Sequence, residues 1–396
     1  MVNVRGVDKG PFKDGEYDTA SVEGKNITST IDMDLQIYGE LLMAGKTGSV
    51  VAIEPETGEI LAMISAPFYN PNELTGADFS KNYRKLNSDP SKPLFNRPIM
   101  ATYPPGSIFK IVQSLIGLQD GILFPETTFA CNRSLVACHN HPNPVNLFGA
   151  IRNSCNPYYH QAFRQIINRE VSSNTFKDTE IGLNDWREKV LKFGLGSSVG
   201  IDMAGEKAGD IPSSKYYDRV YGAGHWKYST IYSLSIGQGE MLVTPLQMAN
   251  LAAIFANKGY YYTPHLIKEV NGDPTQIPAK YQMKHEVGID AKHFDLIQDA
   301  MAEALYGTAN RAVMKDLVIA GKTGTAQNPH GEDHSVFIAF APKDNPKIAI
   351  AVYVENAGWG GRAAASTASL MIEKYLRGDI TRPELQEYVL AGNFIY

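Results

Sequence analysis

Serine is a weak nucleophile at neutral pH and becomes a catalytic one only when a base lies within hydrogen-bond reach. Ser107 and Lys110 have the residue types and the spacing for such a pair. They stand where Tyr103-Pro-Pro-Gly gives way to an apolar, helically spaced run, Ile-Phe-Lys-Ile-Val-Gln-Ser-Leu, which predicts a helix beginning near Ser107. A separation of i, i+3 sets both side chains on one helix face. Lys110 can accept a proton only if burial or nearby positive charge has displaced its own. Alone, the pair reads more simply as an N-cap serine followed by a surface lysine.

Two further motifs give the pair a context, and each has decoys. Lys-Thr-Gly supplies a cation, a hydroxyl and a glycine that lets a ligand lie against a strand edge. It occurs at Lys46-Thr47-Gly48 and at Lys322-Thr323-Gly324. The second copy follows the apolar run Leu-Val-Ile-Ala and is taken as functional; the first reads as a turn before a hairpin. Ser-x-Asn occurs at Ser80–Asn82, Ser154–Asn156 and Ser172–Asn174. The first lies in a Pro-rich stretch ahead of Ser107, and the third lies in a polar run with no rigid element to hold it. Ser154-Cys-Asn156 precedes the apolar helical start Pro-Tyr-Tyr-His-Gln-Ala-Phe and is the best placed.

These motifs need elements to hold them. Ile27–Ile31 reads as a strand and the segment from Asp32 to Met43 as a helix. Residues 48–65 read as a hairpin around Pro-Glu-Thr-Gly. Residues 70–100 are polar and Pro-rich, hence loop, and 145–260 are mostly helical in period. That block ends on a helix with Thr244 at the N-cap, Pro245 at N1 and Gly259 at C′. Strands return at Leu317–Ala320, Ser335–Ala341 and Lys347–Glu355, with a closing helix over Arg362–Leu376. Strands at both ends of a chain around a helical block imply an α+β fold: one mostly antiparallel sheet flanked by helices, with an inserted helical lobe. The polar segment 1–26 reads as a linker or a remnant of an N-terminal pedestal region, leaving 27–396 as the folded domain. Hydrophobic residues at 43% allow a large core, and a net charge of −5 without a basic run points away from nucleic acid. The chain opens without a signal peptide, and no apolar run nears the ~20 residues that cross a bilayer.

Taken in order, Ser107-x-x-Lys110, Ser154-x-Asn156 and Lys322-Thr323-Gly324 resemble the motif set of the penicillin-binding protein and serine β-lactamase superfamily. Ser235-Ile-Gly-Gln-Gly-Glu, Thr244-Pro-Leu-Gln, the Thr-Ala-Gln after Gly324 and Phe340-Ala-Pro extend the likeness to class B transpeptidases over roughly residues 27–380. Pro157-Tyr-Tyr and the stretch from Ala341 to Glu355 resemble the elongation type (penicillin-binding protein 2), with the division type as the alternative. The resemblance implies a serine D,D-transpeptidase acting on peptidoglycan stem peptides and acylated by β-lactams. In it, Ser107 is the nucleophile and Lys110 its base. Ser154 relays a proton with help from Lys322, and Asn156 holds the donor amide. Thr323 joins Lys322 on the terminal carboxylate, and Gly324 lets the peptide pair with the strand edge. The N–H groups of Ser107 and Thr325 form the oxyanion hole. The resemblance also implies a place at the periplasmic face of the cytoplasmic membrane. It implies a membrane glycan polymerase of the shape-elongation-division-sporulation type, and the elongation complex, as partners met through N-terminal regions outside this chain.

Three cysteines and two histidines cluster within a short stretch: Cys131, Cys138, His139, His141 and Cys155. Four such donors suit tetrahedral zinc. Similar enzymes carry a metal site near this motif. The expected set is Cys131, Cys138, His141 and Cys155, with His139 as substitute and a structural role, because Cys155 lies between Ser154 and Asn156. A Cys131–Cys138 disulfide and ordinary loop residues are the alternatives. Three rival functions carry less. A P-loop would need glycine at position 40, where Glu40 stands. A penicillin-recognising sensor would keep the motifs without turnover, and an exported β-lactamase would need a deacylating base that no motif supplies.

Overall fold

The computed structural model describes residues 7, 8, 10, 11, 13–16 and 22–395, so half of the expected 1–26 linker lies outside the described residues. β1 (Ile27–Ser29) leads into α1 (Met33–Met43), whose N-cap Asp32 accepts a hydrogen bond from Leu35 N. The hairpin forms as β2 (Gly48–Ile53) and β3 (Ile60–Ala66). Residues 70–100 are not all loop: they carry α2 (Phe79–Ser88) and α3 (Arg97–Met100). Phe79, Tyr83 and Leu86 recur at helical spacing on α2, yet only Leu86 is buried. A helix with so little core-facing surface leaves a weak pattern in a polar sequence.

A 3-10 turn over Gly106–Phe109 precedes α4 (Lys110–Gln119), so Ser107 lies in the tight lead-in and the α-helix starts at Lys110. α4 is buried from Lys110 to Leu118. The helical lobe continues through α5 (Leu147–Arg152), α6 (Asn156–Ile167), α7 (Thr175–Leu191), α8 (Ser214–Tyr221) and α9 (Tyr228–Ile231) to α10 (Pro245–Ala256). Thr244 and Gln247 form a reciprocal capping box at the start of α10, which is buried on all sides. β4 (Tyr260–Tyr262), β5 (Ile267–Val270) and β6 (Lys284–Glu286) are short; β4 pairs with β6, and β5 pairs back with β1.

α11 (Ala291–Thr308) leads to β7 (Ala320–Ala326), β8 (His334–Ala341) and β9 (Ile348–Val354), followed by α12 (Ala364–Arg377) and α13 (Pro383–Ala391). The main sheet has the order β3-β2-β9-β8-β7, antiparallel throughout. It joins the two ends of the domain, and the fold class is the expected α+β arrangement. β9 is buried along its whole length and reads as a continuous apolar run because both sheet faces are covered. On one face lies the larger core, which includes Val336, Ile338 and Ala351 together with residues of α4 and α6, and there α10 packs on β8 and β9. On the other, Phe337, Ile350 and Val352 pack against α1 and α12. β7 begins and ends further along than the apolar run Leu317–Ala320 suggests. Its extent is decided by pairing with β8, residue for residue from Ala320↔Phe340 to Ala326↔His334. Lys322-Thr323-Gly324 therefore lies inside the edge strand of the sheet.

Candidate active site

Ser107, Ser154, Asn156, Thr323, Gly324 and Thr325 line one cleft of about 670 Å³. Lys110 and Lys322 reach its floor and are fully buried, which rules out a surface lysine at position 110. The Lys110 Nζ donates to Ser154 O (2.7 Å), Ser154 Oγ (3.1 Å) and Asn156 Oδ1 (2.5 Å). From the strand side, Lys322 Nζ donates to the same Ser154 Oγ (3.1 Å) and to Thr323 O (3.0 Å). Ser154 Oγ thus bridges two amines from two of the motifs. Ser107 is half-buried in the cleft wall.

Local conformation explains how these groups meet. The Ser-Cys-Asn motif straddles the junction of α5 and α6, where Asn153 caps one helix and Cys155 starts the next. Ser154 takes a left-handed φ of 52° there, an uncommon state for a non-glycine residue that the flanking helices impose. Gly106, before the nucleophile, has φ 59°, and a Cβ on it would lie 2.8 Å from Thr325 O. Glycine at 106 is what lets the nucleophile turn press against β7.

Electrostatics favour amines that release protons easily. Burial pulls Lys110 down to about 7, an effect partly offset by Cys138 and Cys155. Burial, and then the charge of Lys110, pulls Lys322 well below the ordinary lysine range. Two amines around one hydroxyl in a dry site cannot both hold a positive charge cheaply.

The cysteine loop abuts this floor. Asn156 Nδ2 donates to Ala137 O (2.7 Å), next to Cys138. The donor atoms of Cys131, Cys138, His141 and Cys155 all lie within 4.8 Å of one another. The three cysteines are free thiols, so the alternative disulfide is not formed. His141 Nδ1 lies 2.7 Å from Pro142 O, which leaves Nε2 turned to Cys138 Sγ at 3.5 Å. His139 lines the cleft instead, its ring 5.3 Å from that of His141.

Residues 48–373 match the penicillin-binding protein transpeptidase domain. The chain belongs to this family. It is 31% identical over 368 residues to peptidoglycan D,D-transpeptidase MrdA of Acinetobacter baumannii, covering 86% of this chain and 52% of that one. The chain spans about half the length of such curated relatives. Penicillin-binding protein 2 of Pseudomonas aeruginosa superposes with a TM-score of 0.77 at 33% identity, covering 90% of this chain and 77% of that one. Penicillin-binding protein A of Mycobacterium tuberculosis, solved as a ceftriaxone acyl-enzyme, superposes at 0.72 with 26% identity, covering 90% and 81% of the two chains.

Within this penicillin-binding domain, the structure adds residues that the motifs do not name. Thr323 Oγ1 donates to Thr308 Oγ1 (2.9 Å) at the end of α11. Gln238 Nε2 donates to Thr325 O (3.2 Å), and Gly106 N donates to Gly237 O (2.8 Å). The Ser-Ile-Gly-Gln-Gly segment therefore clamps the nucleophile turn to β7, a role its glycines only hint at in sequence. Tyr103 stacks on Tyr353 at 3.9 Å and donates to Glu355 Oε1 (2.6 Å), which also holds the buried Arg97 (3.1 Å). His334 opens β8, and its Nδ1 accepts from Asn356 N (3.0 Å), which ties the strand to the turn after β9. The decoys fall elsewhere. Lys46-Thr47-Gly48 is the connection into β2. Ser80–Asn82 sits on α2. Ser172–Asn174 does have a rigid element beside it: Asn174 caps α7 by accepting from Phe176 N and Lys177 N.

Proposed function

We propose that this domain is a serine D,D-transpeptidase that cross-links peptidoglycan stem peptides through an acyl-enzyme on Ser107. The observation that carries the reading is the convergence of Lys110, Ser154 and Lys322 beside Ser107 at the edge of β7. In the proposed reaction Ser107 Oγ attacks the carbonyl between the two terminal D-alanines, and its proton passes to neutral Lys110. The N–H groups of Ser107 and Thr325 hold the oxyanion, each contributing about 3–4 kcal/mol. The C–N bond then breaks, and the proton reaches the leaving amine by way of Ser154, which Lys322 polarises. Asn156 receives the donor amide, Lys322 and Thr323 receive the terminal carboxylate, and Gly324 leaves the strand edge open for pairing. The amine of a second stem peptide attacks the ester and restores Ser107.

The Cys131, Cys138, His141 and Cys155 set is read as a structural zinc site. The donor types, their mutual spacing and the carbonyl that fixes His141 support it. Such an ion would hold the loop and, through Cys155, the Ser154–Asn156 junction; it enters no catalytic step. The sequence resemblance supports the elongation type. A Helicobacter pylori penicillin-binding protein 2 solved in complex with MreC, 25% identical over 88% of this chain, gives the elongation complex as a partner class. The reading also includes a membrane glycan polymerase partner and a periplasmic location. Among the described residues no helix is long and apolar enough to cross a membrane.

The test is turnover of a pentapeptide ending in D-Ala-D-Ala with an acceptor amine. Release of D-alanine together with a cross-linked product is expected. Penicillin acylation without any product would instead identify a sensor.

A further inference from the structure

A pocket of about 540 Å³ lies beside the cleft on the helical lobe, and no step above uses it. Three segments wall both spaces. The cysteine loop gives Ala137 to the cleft and Leu135 to the pocket. The turn after α9 gives Ile236 to the cleft and Tyr232 to the pocket. Along α6, Asn156 faces the cleft, while His160 and Arg164 line the pocket. Steps of four residues carry this row away from the cleft by about 6 Å each. Helical side chains lean toward the N-terminus of their helix, so Arg164 sets out from its backbone toward Asn156.

The chemistry of the pocket suits an anion. Its charged residues are Arg164 and Lys227, and no carboxylate lines it, in a chain of net charge −5. Among the described residues neither cation has an ion pair, and Lys227 Nζ lies 5.7 Å from the centre of the Phe176 ring. Arg164 also borders an adjoining hollow that holds Glu170 and Asp178. The Asp178 carboxylate there is taken up by the N–H groups of Glu170, Val171 and Ser172. His160 stands against the rings of Tyr228 and Tyr232, at 5.3 and 5.6 Å, and its buried Nδ1 has no hydrogen-bond partner. Burial, and then Arg164, pull the His160 imidazole below its ordinary value, so at pH 7 the positive charge rests on Arg164 and Lys227. An unpaired guanidinium presents a planar fork of donors that matches a carboxylate.

The place of the pocket says which carboxylate. In the reading above, the donor peptide runs from Lys322 and Thr323, past Ser107, to an amide held by Asn156. Its next residues toward the N-terminus continue beyond Asn156, in the direction that α6 takes. We propose that the Arg164–Lys227 pocket binds a carboxylate carried by the donor stem peptide on the N-terminal side of its scissile bond. The proposal rests on the acyl-enzyme reading given above.

The probes are a cephalosporin with an adipoyl side chain, which ends in a carboxylate, and its neutral terminal amide. Acylation efficiency is measured in the full chain, in the double variant Arg164→Gln, Lys227→Gln, and in Arg164→Glu, with adducts counted by intact mass. An exposed ion pair gives roughly a 2–5-fold preference. Wild type should favour the carboxylate probe by about that factor, and by less in about 1 M salt. The double variant should bring the ratio to about one, and Arg164→Glu should favour the amide. Taking the ratio cancels any general loss from the substitutions. A wild-type ratio of one, or a preference that survives Arg164→Glu, overturns the proposal. So does a carboxylate preference confined to the acceptor in pentapeptide turnover, which places the anion on the second stem peptide. No adduct in wild type with either probe overturns the acyl-enzyme reading itself, a result distinct from a ratio of one.

Discussion

The most demanding consequence of the site is its pH dependence. If Lys110 takes the proton of Ser107, the active form carries it neutral. With Lys110 near 7 because of burial, the neutral fraction falls tenfold per pH unit below that point. The sign is fixed: acylation slows as pH falls and levels off above about 7. Between plateau and pH 5 the rate constant for acylation should drop about a hundredfold. A lysine with an ordinary value near 10.4 would give a rate still rising tenfold per unit at pH 9. Lys110→Arg sharpens the test, because a guanidinium does not lose its proton in this range. That variant should acylate at least a hundredfold more slowly at every pH from 5 to 9. Stopped-flow acylation with a chromogenic cephalosporin, read against pH, measures both. A wild-type rate flat from pH 5 to 8, or wild-type speed in Lys110→Arg, would refute Lys110 as the base.

Three further expectations follow from contacts around the cleft. Gly237→Ala puts a Cβ 2.3 Å from Gly106 O at a φ of 70°, costing about 1–2 kcal/mol from the backbone state alone; calorimetry should show a lower Tm, and acylation should slow. Thr308→Val removes the acceptor of the Thr323 hydroxyl, and at ~0.5–1.5 kcal/mol per hydrogen bond it should weaken drug binding roughly 2–12-fold more than it slows the acylation step, as separate saturation kinetics would resolve. Elemental analysis should find close to one zinc per chain, and Cys131→Ser or a strong chelator should remove it and lower Tm, while three titratable thiols in a metal-free, fully stable protein would contradict the metal reading.

How much of this was legible in the sequence depended on whether a property is local. Local signals travelled well: the capping box at Thr244 and Gln247, the hairpin of β2 and β3, and the relative order of the motifs. The cysteine set was legible because donor chemistry is written in residue type, although the meeting of Cys155 with Cys131 requires the fold. Properties decided by pairing and close approach were not legible. The extent of β7 comes from β8, so an apolar run placed the strand too early. α2 buries little and so hides in a polar stretch. Thr308, Gln238 and Trp359 reach the cleft from segments far apart in the chain, and nothing in their own neighbourhoods says so. Choosing among the copies of Ser-x-Asn relied on finding a rigid helix start, but α7 shows that a decoy can have one too.

The central claim is that Ser107 is the acylated nucleophile, and intact mass measured before and after penicillin tests it most directly. Wild type should gain the mass of one penicillin, and peptide mapping should place it on the fragment containing Ser107. Ser107→Ala should gain none. A labelled Ser107→Ala protein, or a label on any other residue of the wild type, would contradict the account.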